Sequence, residues 1–156
     1  MTTRHQARAA VQEWFDANPD LALERVGDDG WFTTLAGERK RVIPLFLQLG
    51  DQTLTVESHF MRAPDENEAA LYELLLRRNA RTYVLRFAVL EGGDIALVAA
   101  LPLAAVTAAE IDRVAGTLLS VADETYNAAL RLGFEGYIER EQAWRERVGL
   151  GRNPIT

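Results

Sequence analysis

The sequence predicts an α+β fold in which one antiparallel sheet is covered by helices, with the element order α-β-β-β-α-β-β-α. The main evidence is residues 62–103, where apolar residues recur first at helical spacing and then alternate in two runs around Glu91-Gly92-Gly93. A second pair of alternating runs flanks Gly50-Asp51, a tight-turn pair. The length of 156 residues predicts a single domain, residues 1–156, with a core from about 25 to 148.

Composition narrows the functional class. The net charge of −6 and the isoelectric point near 5.0 argue against nucleic-acid binding, which depends on neutralising phosphates. The chain has no cysteine, which excludes disulfides and thiolate metal sites. No basic-then-apolar leader opens it and no run approaches ~18 apolar residues, so we expect neither secretion nor a membrane span. These features predict a cytoplasmic protein.

The first helix is predicted over residues 3–17. Its apolar residues share one side: Ala7, Ala10, Val11, Trp14 and Phe15. Asn18-Pro19 ends the helix, because proline disfavours helix at the residue before it. Residues 21–26 are ambiguous between a loop and a short strand that enters the sheet.

Three strands are predicted next, over residues 31–35, 38–49 and 52–60. A two-residue turn at Gly50-Asp51 places Leu47 opposite Leu54 and Leu45 opposite Val56. Pro44 cannot donate to a ladder, so we expect a bulge or an unpaired flank beside it. The opposite face of these strands mixes apolar and polar residues, which is typical of a sheet covered on one face only.

The second helix follows Pro64. Asp65 and Glu68 have the spacing of a capping box, and Asn79 is predicted to end the helix in the left-handed conformation. The apolar stripe of this helix consists of Ala70, Leu71, Leu74 and Leu75. A hairpin with a three-residue loop follows, and its predicted pairs are Val89–Ile95, Phe87–Leu97, Leu85–Ala99 and Tyr83–Leu101.

Helices complete the chain. Thr107 and Glu110 repeat the capping pattern and begin a long helix that Gly133 interrupts. A second helical segment is predicted over residues 134–148, and residues 149–156 form a polar tail that we expect to fray.

The sequence predicts no catalytic, metal or cofactor site. Glu57 and His59 could form an acid–base dyad or part of a metal site, but polar pairs are common on open sheets and no third partner can be named. The acidic residues of the long helix lack an accompanying Glu-x-x-His motif. Gly92-Gly93-Asp94 is better explained as a hairpin turn than as a phosphate loop. We therefore expect no enzyme activity.

Three groups of residues are candidate contacts for a protein partner. Phe46, Val42 and Val98 lie on the second sheet face, which is too apolar to be only solvated. The arginines Arg77, Arg78 and Arg81, clustered in the sequence with Arg86, would bind an acidic protein segment or an anionic ligand, or else only compensate the helix dipole and lie on solvated edges. Trp144 is either a core or dimer residue or an interface anchor.

Several segments also carry a resemblance. They are Met61-Arg62-Ala63-Pro64 with Asn67-Glu68, the run 74–79, Gly93-Asp94 before an aliphatic strand, Leu132-Gly133-Phe134, and Glu141 with Trp144-Arg145. In these segments, over about residues 25–148, the chain resembles the YbjN-like family of bacterial proteins. The resemblance implies a fold like that of type III secretion chaperones, a homodimer that binds other proteins, and a role in regulating sensory transduction. It implies no catalytic residues and no cofactor.

The expected function is therefore a non-enzymatic, chaperone-like adaptor or regulator whose partner is another protein. The alternative is a small-ligand sensor that holds its ligand between the sheet and the long C-terminal helix. That alternative requires a pocket of several hundred Å³ with converging polar groups.

Overall fold

The computed structural model describes residues 3–155 and confirms the α+β fold and its element order. The helices are α1 (Arg4–Ala17), α2 (Glu68–Asn79), α3 (Ala108–Gly133) and α4 (Glu135–Arg147), and a 3₁₀ turn covers Leu103–Ala105. The strands are β1 (Glu24–Val26), β2 (Gly30–Leu35), β3 (Ile43–Leu49), β4 (Thr53–Met61), β5 (Arg86–Val89) and β6 (Ile95–Pro102). The ambiguous segment 21–26 thus ends in the short strand β1.

The strands form one antiparallel sheet in the order β1-β2-β3-β4-β6-β5. Along β3 and β4, buried residues alternate with exposed or half-buried ones, so the helices cover one face of the sheet. The covered face contributes large side chains to the core: Trp31, Leu45, Leu47, Leu54, Val56, Phe60 and Leu97. We call the opposite face, which is open to solvent, the outer face.

Helix α3 is the centre of the covering layer, and α1 and α2 both pack against it. All five apolar residues predicted for α1 are buried, and Trp14 Nε1 donates a hydrogen bond to Asp112 of α3 at 3.1 Å. Phe60 of β4 lies edge-on to Phe87 and Tyr126, with ring centroids 5.0 and 5.9 Å away. These contacts join the sheet and helices into one core.

The predicted strand 38–49 is too long, because residues 38–42 form a loop. Asp123 of α3 accepts hydrogen bonds from the backbone N–H groups of Arg39 and Lys40 at 2.7 and 2.9 Å. These bonds bind the loop to the helix instead of to the sheet. Pro44 has the predicted unpaired flank: it pairs with Thr34 of β2, while the ladder towards β4 reaches only Phe46.

The predicted register of β3 against β4 is wrong by two residues. Leu47 pairs with Val56 instead of Leu54, because the central residues of the turn are Asp51 and Gln52. The Gly50 N–H donates to the Thr53 carbonyl at 2.8 Å and closes this turn. A shift of two keeps every side chain on its predicted face, so the core composition is unchanged.

The predicted caps of α2 are wrong, although the helix does end at Asn79. The helix starts after Asn67, whose φ is +56°, and Asp65 pairs with Arg62 instead of capping. Asn67 donates from Nδ2 to the Leu132 carbonyl at 2.8 Å and to Glu135, so it links α2 to the α3–α4 junction. Asn79 is the last residue of the helix and is not left-handed.

The C-terminal hairpin confirms the pairs Val89–Ile95 and Phe87–Leu97 and the loop of residues 91–93. The two outer predicted pairs are wrong, because Val84 has a φ of +61° and the strand begins only at Arg86. Glycines with φ of +94° and +97° at positions 92 and 93 form the tight loop.

The long helix and the tail differ from the sequence expectation in detail. The Thr107 side chain caps α3 by accepting from the Glu110 N–H at 3.0 Å, while the Glu110 carboxylate accepts from the Tyr83 hydroxyl. Within residues 149–155 the Asn153 N–H donates to Gln142 at 2.9 Å, and this bond holds the tail against α4. The last residue of the predicted tail, Thr156, lies outside the described residues.

Candidate functional site

One row of side chains crosses the outer face from edge to edge. From β1 to β5 its members are successive cross-strand partners: Glu24, Phe32, Phe46, Glu57, Val98 and Arg86. We call this set the central outer row. Phe46 and Val98, both predicted on this face, therefore lie in the same row, two strands apart.

Three apolar side chains and the carboxylate of Glu57 lie within the row, and two further charged side chains lie at its ends. Phe32, Phe46 and Val98 are half-buried, whereas Glu24 and Arg86 are exposed. Among the hydrogen bonds and ion pairs of residues 3–155, Glu24 has none from its carboxylate, and Arg86 donates only to the backbone carbonyls of Thr82 and Leu85. The row thus has three apolar members, with Glu57 between Phe46 and Val98, and opposite, ionically unpaired charges at its two ends.

Both edges of the sheet resist the addition of another strand. On β5, the Asn79 side chain donates to the Phe87 carbonyl at 3.2 Å and accepts from the Phe87 N–H at 2.7 Å. On the opposite edge, β1 has only three residues. A short strand and an occupied backbone position both block edge pairing. The outer face, and not an edge, is therefore the surface of the sheet that another protein can reach.

The predicted arginine cluster divides into paired and unpaired members. Arg77 pairs with Glu73 on the same helix at 2.9 Å. No carboxylate of the described chain forms an ion pair with Arg78 or Arg81. Both line a cleft of about 220 Å³ between α2 and α3, together with Thr82, Val121, Glu124 and Thr125. Two of the three arginines are therefore free to bind an external anion.

The remaining candidates lie away from the central outer row. Val42 is 60% exposed in the loop before β3. Trp144 is 49% exposed on α4, which packs against α3. Tyr137 on the same helix and Val148 just after it are also more than half exposed. The structure thus brings Phe46 and Val98 together but not Trp144 with either of them.

The Glu57–His59 dyad does not form. His59 Nε2 lies 3.1 Å from Asp94 Oδ2, while Asp94 Oδ1 accepts from the Ala63 N–H at 3.0 Å. The hydrogen bond from His59 and the N–H of Ala63 lower the pKa of Asp94. This pair fastens the C-terminal hairpin loop to the end of β4. No cluster of three metal-ligating side chains occurs within residues 3–155.

Comparison with known proteins places the chain in a family. The family model described as "YbjN: Putative bacterial sensory transduction regulator" matches residues 7–131. The chain belongs to the YbjN family. An uncharacterized protein of Mycobacterium leprae is 39% identical over 150 residues, which are 96% of this chain and 78% of that protein. Uncharacterized proteins of Mycobacterium tuberculosis and Mycobacterium bovis are 46% identical over 111 residues, 71% of this chain. That match spans 61% of their length.

Solved structures show the same fold in type III secretion chaperones. A structure of the ExoU–SpcU complex from Pseudomonas aeruginosa matches with a TM-score of 0.55 and 16% identity, covering 80% of this chain and 98% of that one. The Yersinia pestis chaperone SycH, solved in complex with a fragment of YscM2, matches with a TM-score of 0.53 and 14% identity. That match covers 74% of this chain and 96% of SycH. The YbjN chain therefore shares the fold of these chaperones, as expected from its sequence.

The helices can be compared with what a membrane span requires. Among the described helices, none combines the length and the apolar character that a bilayer span requires.

Sequence reasoning missed two parts of the molecule. Phe32 lies on the outer face one strand in from the edge, and the alternation of residues 31–35 would have placed it there beside Phe46. Lys40, the only lysine of the chain, lines a cavity with residues from four other segments. No local pattern indicates that cavity, because it is formed by residues far apart in the sequence.

Proposed function

We propose that this YbjN protein is a homodimeric, protein-binding adaptor or regulator of the bacterial cytoplasm with no catalytic role of its own. The observation that carries the proposal is the central outer row, whose Phe32, Phe46 and Val98 face solvent on an otherwise mixed sheet surface. Apolar surface of this kind suits contact with another protein. Membership of the YbjN family and the chaperone-like fold support the same conclusion.

A second copy of the chain is the occupant that the charges of the row favour. A two-fold axis parallel to the strands, between β3 and β4, reverses the row against itself. Glu24 of one copy then lies opposite Arg86 of the other, and Phe32 lies opposite Val98. Phe46 faces Glu57, the one mixed pair. The interface would have apolar contacts inside a charged rim, as other protein complexes do, with Glu57 of each copy lying against Phe46 of the other at its centre.

The partner protein would bind elsewhere, at Arg78 and Arg81. These side chains have no ionic partner, and the cleft that they line admits a carboxylate-sized group. Arginine binds carboxylates in a bidentate manner, so an acidic segment of a partner fits this site. A dimer would present two such sites.

The dimer is tested by exchanging the charges of Glu24 and Arg86. The mass of each variant in solution is measured by analytical ultracentrifugation. Glu24→Arg and Arg86→Glu should each weaken dimerisation by about tenfold or more in Kd, because each places like charges at both ends of the row. The variant that carries both substitutions should restore dimerisation, because opposite charges again face each other at both ends of the row. Glu38→Arg, an exposed site outside the sheet, is the matched control. A monomeric wild type, or a double variant no better than the single ones, contradicts the dimer.

The partner site is tested by affinity capture from the native lysate with paired variants. Arg78→Glu with Arg81→Glu should abolish capture of a protein that the wild type retains. Arg77→Glu should retain it, because Arg77 is already engaged by Glu73. Equal capture by all three proteins, or no retained protein in any, contradicts a partner site at this cleft.

A further inference from the structure

A cavity of about 500 Å³ lies where the end of β4 meets α3, α4 and the C-terminal tail. Its walls are mainly aromatic and aliphatic: Tyr126, Leu130, Phe134, Tyr137, Ile138 and Ile155. Binding sites for small molecules have volumes of roughly 300–1,000 Å³ and are lined in this way. The cavity is thus large enough for an organic molecule with an apolar body.

One charged group in the cavity lacks an opposite charge. The Lys40 ammonium lies 4.8 Å from the centroid of the Tyr126 ring, and no described carboxylate pairs with it. Lys40 is half-buried, and this burial lowers its pKa, because a charged ammonium is poorly solvated there. An anion bound beside Lys40 would stabilise the charged ammonium and offset the free-energy cost of burying it.

The other charged residues of the lining are already engaged. Arg62 pairs with Asp65 at 3.0 Å, and His59 contacts Asp94 at 3.1 Å. The Glu141 carboxylate accepts from Arg145 at 3.1 Å and from the Asn153 amide. Within the described lining, Lys40 is therefore the one ionic group left for a ligand.

Lys40 is held in position by its backbone. The buried side of α3 supplies Asp123, whose carboxylate accepts the N–H groups of Arg39 and Lys40. Burial opposes ionisation of Asp123, but these N–H groups and the Arg39 guanidinium outweigh it and lower its pKa. Only glycine fits at position 37 in this turn, because a Cβ there would lie 2.4 Å from the Lys40 carbonyl oxygen and 2.6 Å from Asp123 Oδ1. The Lys40 side chain itself has no part in this clamp.

We propose that this cavity binds a small amphipathic anion: a carboxylate that pairs with Lys40, attached to an aromatic or branched apolar body that packs against the Tyr126 and Tyr137 side of the cavity. The inference goes beyond the adaptor function and does not depend on dimerisation or on the Arg78–Arg81 cleft.

The probes are phenylpropanoate and phenylpropanol, which have the same apolar body and differ in the charge. Each is titrated into the full chain, and binding is followed by two-dimensional amide NMR. The acid should shift the amides of the cavity lining and bind about tenfold tighter than the alcohol, as a charge-assisted contact predicts. Lys40→Gln should lose this preference, and Arg41→Gln, the exposed neighbour on the same loop, should keep it.

Three results would overturn the proposal: equal affinities of the two probes in the wild type, an acid preference that survives in Lys40→Gln, or shifts confined to amides outside the cavity. The fold of Lys40→Gln is checked in the same spectra, and because the clamp uses only the Lys40 backbone, the variant should remain native.

Discussion

The covered and outer faces of the sheet differ in what fixes their side chains. Along β4, Leu54, Val56 and Phe60 are at most 2% exposed and contact the helices, while Thr55, Glu57 and His59 between them are exposed. Substitutions on the covered face must satisfy the packing of a closed core. On the outer face the fold imposes little, so residues there can be selected for binding. The two faces of one strand therefore contribute to different properties, the covered face to stability and the outer face to the surface that we propose for binding.

The sharpest test of this difference compares two phenylalanines. Phe60→Ala should lower the free energy of unfolding by about 3–5 kcal/mol, because it leaves a cavity between Phe87 and Tyr126. Phe46→Ala should cost less than about 1 kcal/mol in the monomer. Urea unfolding at protein concentrations below the dimer Kd measures both. Similar losses in the two variants would mean that the outer face is also part of the core.

A smaller effect, of opposite sign, is expected at Ser58. Its hydroxyl is buried on the covered face, the residue is 1% exposed, and it has no hydrogen-bond partner among the described residues. Ser58→Ala should raise the free energy of unfolding by about 1 kcal/mol, because it removes an unsatisfied polar group. Thr55→Ala, the neighbouring exposed control, should change it little. A destabilised Ser58→Ala would show that the hydroxyl has a partner in solution.

The smallest effect concerns how the stability of the fold depends on pH through Asp94, at the rim of the outer face. Asp94 has a pKa lowered by His59 and by the Ala63 N–H, so the folded pKa is below the unfolded value of about 3.9. Its contribution to stability is present above that value and is lost as the pH falls through the folded pKa. The melting temperature of Asp94→Asn, which keeps the acceptor for Ala63, should fall less than that of the wild type between pH 5 and 3. Parallel curves would contradict the role of this pair.

The sequence predicted those parts of the fold that depend on neighbouring residues. The α1 stripe and the Val89–Ile95 register follow from spacing alone, and the structure confirms both. Prediction failed where another residue competes for a group that the local pattern assigns to a cap. Asp65 has the spacing of a cap but pairs with Arg62, and Asn79 has the composition of a left-handed terminus but binds Phe87 eight residues later. The clamp from Asp123 spans 84 positions to Arg39, which no local pattern can reveal.

The sequence also predicted part of the candidate site. Alternation placed Phe46 and Val98 on one face correctly, and the arginine cluster was found by composition. The pair of Arg77 with Glu73 has the i,i+4 spacing that a helix favours and that the sequence shows, whereas the unpaired state of Arg78 and Arg81 depends on their rotamers and could not be predicted. Their role in binding stays a prediction.

The two hydrogen bonds between the Asn79 side chain and the Phe87 backbone also affect how the protein behaves at high concentration. An edge strand with free backbone groups is a template on which further chains can stack, and such stacking leads to fibrillar aggregates. With Phe87 occupied at one edge and only three residues in β1 at the other, growth of the sheet by edge stacking is blocked. The molecule can therefore expose an apolar sheet face for binding while its edges offer little backbone for such stacking.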